Sequence, residues 1–307
     1  MPVAKPCADN LLAPLLWLTL AGCAGTLPEL HVPLRSGEEI VTLATRPGVT
    51  VRVFLITPKT VSKGTFIFFP GGEGYLVKEG QAKGLYARLF PEQGFMAVVV
   101  DVPSDRPHGM LGGDRFRSSN EHLEDVKKII EFVYQKWPKP IFLIGHSAGT
   151  TSVGYLATVL KDQRIGGIVL TGALGELGPR AVSLARLPLQ EITYPALFVH
   201  HKEDPCASFE DAHRQHRRLV RVTFIEVLGG DQSRAIGCNP RDPARGKSYA
   251  HGFSGKEREV VRAITDWATG KPVPNRIGIG PFVIPCFDPK TNYPKKPIRF
   301  TYPVKCK

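Results

Sequence analysis

The chain has 307 residues, 42% of them hydrophobic and 22% charged, with a formal net charge of +12. That apolar share suffices for a sizeable core and excludes an unstructured polymer, and the length suits one α/β domain of about 200 to 240 residues with extensions at its ends. The sequence contains no internal repeat and no extended low-complexity tract, which excludes solenoids and propellers.

Taken in chain order, the first feature is an address. Lys5 precedes the apolar run Leu11–Leu20, which is too short to span a bilayer and reads as the core of a signal peptide. Leu20-Ala21-Gly22-Cys23 then resembles a bacterial lipobox. In that reading residues 1–22 are removed, and Cys23 is lipidated and becomes the new N-terminus. Attached acyl chains would hold the protein at a membrane, since two or more chains anchor stably where one is marginal. Ala24, rather than Asp, follows the cysteine, which leans toward an outer membrane. The alternative is a plain secretory signal and a secreted or periplasmic protein. Residues 24–38 form a linker.

A domain over 39–270 follows. Glu39–Thr45 and Thr50–Pro58 are predicted as an antiparallel opening pair joined by Pro47-Gly48. Thr65–Phe69 reads as a buried strand entering the glycine-rich turn Pro70-Gly71-Gly72-Glu73-Gly74. A helix is expected near Ala82–Phe90, a strand over Phe95–Asp101 and a long loop over 102–117. The helix Ser119–Trp137 carries Leu123, Val126, Ile130 and Val133 on one face.

Ile141-Phe142-Leu143-Ile144 is a strand that meets Gly145-His146-Ser147-Ala148-Gly149, and a helix-compatible run continues to about Lys161. A G-x-S-x-G turn between strand and helix lifts the serine hydroxyl above a sheet. Glycine is needed on both sides because a Cβ there would collide where strand and helix cross. Gly167–Thr171 is the next strand. Only residues 173–192 separate it from the one after, too few for a large lid, so a small or absent cap is expected over an open pocket.

A nucleophilic serine needs a base and an acid, here in the chain order Ser, acid, His. Ala196–His200 reads as a buried parallel strand, and Asp204 falls just past its C-terminal end, where open α/β sheets keep their sites. Glu203 is the rival acid. His251 lies in the loop between the strand Val222–Leu228 and a last helix. Ser254 and Glu257 are spaced as a capping box for that helix, whose apolar stripe is Val260, Val261, Ile264 and Trp267. Of nine histidines, His31 and His122 come too early in the chain. His213 and His216 sit in an Arg-rich helical stretch and look solvated, and His200 and His201 read as strand-end residues. His251 is the candidate base.

Six cysteines are present. Cys7 leaves with the signal and Cys23 takes lipid, so four remain, with three possible connectivities. Cys206 is two residues past Asp204 and Cys238 lies in the loop leading to His251. A Cys206–Cys238 bridge would tie the acid loop to the base loop, leaving Cys286 and Cys306 to pair in the tail. No metal-binding spacing of the C-x-x-C or H-E-x-x-H kind occurs. The tail, 271–307, holds eight Pro, eight Lys plus Arg and one acid, Asp288. Such a segment cannot build its own core; it reads as a basic, solvated extension. Nucleic-acid binding is disfavoured by the export signal and by the lack of a recognised module.

Residues 65–270 resemble the α/β-hydrolase superfamily, and more narrowly a bacterial group of exported α/β-hydrolases. The resembling pieces are Phe69–Tyr75, Asp101–Pro107, Phe116–His122, the turn around Ser147, His200–Cys206 and His251-Gly252-Phe253. At His146 and Ala148 the chain departs from relatives that often have Thr and Arg there, a difference bearing on pocket chemistry. The resemblance implies an α/β-hydrolase fold, a mostly parallel sheet with helices on both faces. It implies a catalytic triad of Ser147, Asp204 and His251. The N–H of Ala148, after the serine, and that of Gly72, by analogy with the turn after the third strand of lipases and esterases, are the expected oxyanion hole. The expected activity is that of a serine hydrolase cleaving small-molecule carboxylic esters, carboxylesterase-like, without cofactor or metal. The rivals are an amidase or peptidase using the same triad, and a non-catalytic envelope binding protein on a hydrolase scaffold.

Overall fold

A computed structural model describes residues 33–78, 81–82, 85–110, 115–175, 183–234, 236–238 and 247–278. Cys23 and residues 1–22, read from the sequence as a signal peptide, lie outside the described residues, as do Cys286, Cys306 and most of the basic tail.

The chain opens with β1 (Glu38–Arg46) and β2 (Val49–Ile56), an antiparallel pair. Then come β3 (Thr65–Phe69), β4 (Met96–Pro103), α1 (Asn120–Lys136), β5 (Ile141–His146), α2 (Gly149–Val159) and β6 (Ile165–Thr171). The last part holds β7 (Ala196–His201), α3 (Phe209–His216), β8 (Val222–Val227), α4 (Glu257–Ala268) and the two-residue β9 (Arg276–Ile277). These nine strands form one sheet in the order β1-β2-β4-β3-β5-β6-β7-β8-β9. From β4 onward every neighbouring pair is parallel; β2 runs antiparallel to β4. This is the α/β-hydrolase fold.

The central strands read as unbroken apolar runs because helices cover both of their faces. Alternate residues feed two separate cores. Ile67, Val98, Leu143, Leu170 and Phe198 pack on the side of α1, α2 and α3. Phe66, Val99, Ile144, Val169 and Val199 pack on the side of α4. There Phe66 sits with ring centroids 4.7 Å from Phe90, 5.2 Å from Phe95 and 5.1 Å from Phe142. Helix α1 starts where the Ser119 hydroxyl accepts from His122 N–H at 3.2 Å, and Pro138 follows its C-cap, Trp137.

Three local expectations differ from the structure. The segment expected as a helix near 82–90 is a 3₁₀ turn, Leu85–Leu89, followed at once by another, Pro91–Gln93, and stopped by Gly94 at φ 80°. Proline and a left-handed glycine leave no length for an α-helix. Ser254 does not cap the last helix: α4 begins after Lys256, and the Glu257 carboxylate accepts from Gly255 N–H at 2.8 Å. Phe253 at φ 56° and Gly255 at φ 79° turn the chain there, so Ser254 is buried with its carbonyl accepting from Asp231 N–H at 2.7 Å. His213 and His216 are half-buried rather than solvated, because Phe224 from β8 packs against both rings, at 5.0 and 4.9 Å.

Strand β9 extends the sheet past residue 270, with Arg276 paired to Glu226. Among the described residues no helix is long and apolar enough to cross a membrane.

Candidate active site

The turns that follow β3, β5 and β7, and the loop between β8 and α4, meet at the C-terminal edge of the parallel strands. At the first lies the glycine turn, at the second Ser147, at the third Asp204 and in the last His251.

Ser147 has φ 54°, a left-handed conformation that a side chain adopts only when its surroundings enforce it. The enforcement is visible. Ser147 N–H donates to Thr171 O at 3.0 Å, and the Ser147 carbonyl accepts from Thr150 N–H at 3.0 Å and from the Thr150 hydroxyl at 2.6 Å. A Cβ on Gly145 would lie 2.5 Å from Gly149 O, and one on Gly149 would overlap Phe69 O. Both glycines are therefore fixed by the close crossing of β5, β3 and α2. Gly71 is equally constrained: its Cβ would lie 2.8 Å from Ser147 Cβ and 3.4 Å from Ser147 Oγ.

Asp204 is buried and holds His251 by a 2.7 Å bond between Oδ2 and Nδ1. Its other oxygen, Oδ1, accepts from Cys206 N–H at 2.9 Å. Burial works to raise the Asp204 pKa. The hydrogen bond and charge of His251, the nearby His200 and the Cys206 N–H together outweigh it and hold the carboxyl below its ordinary range. Glu203 is exposed and accepts from the Tyr249 hydroxyl at 2.8 Å instead. Cys206 is bonded to Cys238 across a sequence separation of 32. Asp204, Cys206 and His251 bring three potential metal-binding atoms within 4.8 Å of one another, but the Cys206 sulfur is committed to that disulfide and the other two groups bond each other.

His251 is also buried. Gly172 follows the Thr171 carbonyl that holds Ser147, and a Cβ there would lie 3.3 Å from His251 Nδ1 and Cε1. The His251 ring thus packs onto the backbone beside the Ser147 turn. His146 flanks it at 4.8 Å between ring centroids, with Nδ1 3.1 Å from Thr171 Oγ1. Burial, then the charge of His251, push the His146 pKa down to about 3, so His146 is neutral at physiological pH. His200 and His201 are occupied at the end of β7: His200 Nε2 donates to Ala207 O at 2.9 Å, and His201 Nε2 donates to Gly229 O at 2.8 Å.

In the glycine turn, Gly72 has φ 58°. Among the hydrogen bonds of the described residues, none uses the N–H of Gly72 or of Ala148 as donor. Two such donors beside Ser147 are suited to receive an anionic oxygen. The sequence reading missed what supports them. Arg117, buried, donates from Nη2 to Pro70 O at 3.0 Å and to Gly72 O at 2.9 Å, and from Nη1 to Ser152 Oγ at 3.0 Å. Asp101, within β4, accepts from Leu76 N–H at 2.8 Å and pairs with Arg52. Both residues lie in stretches that carry the family resemblance, which was the available signal.

Residues 80–217 match the family described as serine aminopeptidase, S33. No curated protein matches the chain. Among solved structures, Est1E from Butyrivibrio proteoclasticus is similar with a TM-score of 0.52 at 14% identity, over 75% of this chain and 98% of that one. Its ferulic acid complex gives 0.53 at 13% identity over the same shares. A cold-adapted esterase from an Arctic intertidal metagenomic library gives 0.49 at 17% identity, over 73% of this chain and 93% of that one. The strand order, the turn around Ser147 and the likeness to Est1E together show that the chain has the α/β-hydrolase fold.

Proposed function

We propose that the chain is a serine hydrolase that cleaves carboxylic esters through an acyl-enzyme. The observation that carries the reading is the 2.7 Å Asp204–His251 bond, buried beside a serine held at φ 54°. In this mechanism Ser147 Oγ attacks the ester carbonyl carbon while His251 Nε2 takes the hydroxyl proton. Asp204 keeps the Nδ1 proton and stabilises the imidazolium as it forms. The N–H groups of Gly72 and Ala148 bind the oxyanion, and His251 returns the proton to the leaving alkoxide. Water then attacks the acyl-Ser147 carbonyl, His251 again serving as base, and the acid is released. No step calls for a cofactor.

A second reading, an amidase or peptidase on the same residues, is favoured by the match to the serine aminopeptidase family. The test is labelling by a fluorophosphonate, followed by a panel of p-nitrophenyl esters and aminoacyl amides. We expect labelling that Ser147→Ala abolishes, and ester turnover above amide turnover. The reverse preference replaces the esterase reading with the second, and a folded wild-type protein that neither labels nor turns over leaves a binding scaffold.

The lipobox-like Leu20–Cys23 supports export and acylation at Cys23. On this reading the mature protein works at the bacterial envelope, anchored in the outer membrane. The expressed protein should partition into detergent, and Cys23→Ser should abolish that partition. A mature wild-type chain that stays in the aqueous phase contradicts the anchor.

A further inference from the structure

The stretch Phe116–His122 contributes no residue to the proposed triad, yet one of its side chains reaches the glycine turn. Arg117 lies in a short 3₁₀ turn, Phe116–Ser118, just ahead of α1. Its guanidinium is buried and spends its Nη hydrogens on three groups, namely the carbonyls of Pro70 and Gly72 and the hydroxyl of Ser152. Ser152 belongs to α2, the helix that starts at Ser147's turn. The arginine therefore joins the glycine turn to the helix that carries the other oxyanion donor.

The choice of carbonyls has a geometric consequence. The Gly72 N–H belongs to the peptide plane whose carbonyl is Gly71 O. That oxygen accepts from Gly74 N–H at 3.2 Å. The planes on either side carry Pro70 O and Gly72 O, the two atoms Arg117 holds. Three consecutive planes are thus fixed in a segment where glycine backbone is otherwise free to rotate. Gly72 at φ 58° and Gly74 at φ 89° both take left-handed conformations, and a Cβ on Gly74 would lie 3.0 Å from Arg117 Nη2. The turn and the guanidinium are built against each other. A planar fork with several fixed donors makes this arrangement; an ammonium, a single point on a flexible stem, does not reproduce it. Burial pushes the Arg117 pKa down to about 10, with the charge of Glu73 opposing, so the fork keeps its charge at neutral pH.

We propose that Arg117 is the positioning residue of the oxyanion hole: it sets the direction of the Gly72 N–H relative to the Ala148 N–H by clamping the carbonyls of Pro70 and Gly72 to Ser152. This rests on the ester-hydrolase reading for its catalytic part and on geometry alone for its structural part, so the test has two arms. In the first, amide hydrogen exchange of wild-type protein, Arg117→Lys and Arg117→Gln is followed by mass spectrometry. Faster exchange is expected over 70–76 in both variants, with the peptides of β5 and β7 unchanged.

In the second arm, kcat and KM are measured on p-nitrophenyl butyrate. A displaced oxyanion donor costs roughly 10- to 100-fold in kcat. That loss is expected for Arg117→Gln, and a smaller one for Arg117→Lys, with KM held. Unchanged exchange over 70–76 in the variants overturns the clamp whatever the activity. Local loosening with kcat intact overturns the oxyanion role, and exchange raised equally throughout the sheet reduces Arg117 to a general packing residue. If wild-type turnover is absent or survives Ser147→Ala, the hydrolase reading fails instead, and the exchange arm still decides the clamp.

Discussion

Asp204→Asn is the sharpest probe of the proposed chemistry, because the structure determines which way the new amide must face. In the native protein Oδ2 meets His251 Nδ1 at 2.7 Å and Oδ1 accepts from Cys206 N–H at 2.9 Å. The amide oxygen of an asparagine has to take the Oδ1 place, since only an acceptor satisfies the Cys206 N–H. Its NH₂ group then points at His251 Nδ1. Nδ1 is forced to accept, the ring proton moves to Nε2, and Nε2 can no longer take a proton from Ser147. The lost charge-assisted hydrogen bond contributes about 1.5–3 kcal/mol. Reversal of the tautomer brings the total to about 4–5.5 kcal/mol, a kcat lower by about 10³–10⁴ at 1.36 kcal/mol per tenfold. The assay is steady-state turnover of a p-nitrophenyl ester, with thermal melts to show that the variant is folded. Glu203→Gln is the control, expected near wild type because Glu203 is exposed and bonded to Tyr249. A folded Asp204→Asn enzyme within tenfold of wild type, or a Glu203→Gln enzyme that is the more damaged of the two, refutes the acid assignment.

Two further outcomes follow from other parts of the site. Replacing Cys206 and Cys238 together by Ser opens a loop with a sequence separation of 32, which costs about 3.7 kcal/mol on the chain-entropy account; equilibrium unfolding in urea measures it, and an unchanged midpoint contradicts the expectation. His122, packed between Phe69 and Phe116, has its pKa pushed down to about 3, by burial first and then by the charges of Arg117 and Arg46. The unfolded chain takes up a proton below about pH 6.5 that the folded chain refuses, so this residue's share of stability is whole above that pH and declines as pH falls toward 3. Between pH 6.5 and 5 wild-type protein should lose about 1.7 kcal/mol more than His122→Phe, the slope rising from half of about 1.4 kcal/mol per pH unit at pH 6.5 to nearly all of it at pH 5. Parallel losses in the two proteins would show that His122 does not titrate in this way.

What could be read from the sequence tracks what the backbone itself requires. The central strands are apolar on both faces, and runs such as Phe66–Phe69 and Ile141–Ile144 leave little choice of structure. The glycines at 145 and 149 are dictated by backbone atoms of β3 and α2 that would meet any Cβ, so the turn around Ser147 is legible as a pattern. The capping box at Ser254 was not a sound signal, because the local Ser-to-Glu spacing competes with a tertiary demand: Asp231 N–H needs the Ser254 carbonyl, and the left-handed Phe253 delivers it. His213 and His216 misled for a similar reason. Their polar neighbours along the helix say nothing of Phe224, which arrives from β8. Arg117 was silent because its partners are mostly carbonyl oxygens, which every residue possesses.

The acid and base loops show how such a site keeps its geometry with little regular structure around it. Asp204 and His251 are 47 residues apart, and the chain between them includes α3 and β8. Neither residue sits inside a helix or strand, so the ladder hydrogen bonds that fix β7 and β8 do not by themselves fix the two side chains. Two constraints compensate, and both act on Cys206. Its N–H orients the Asp204 carboxylate, and its sulfur ties the same turn to Cys238 in the loop that leads to His251. A displacement of Cys238 is thereby transmitted to the turn that holds Asp204. Reduction should therefore act first on the alignment of the pair and only secondarily on the sheet beneath it. No cysteine belongs to either hydrophobic core, so opening the bridge removes none of their members.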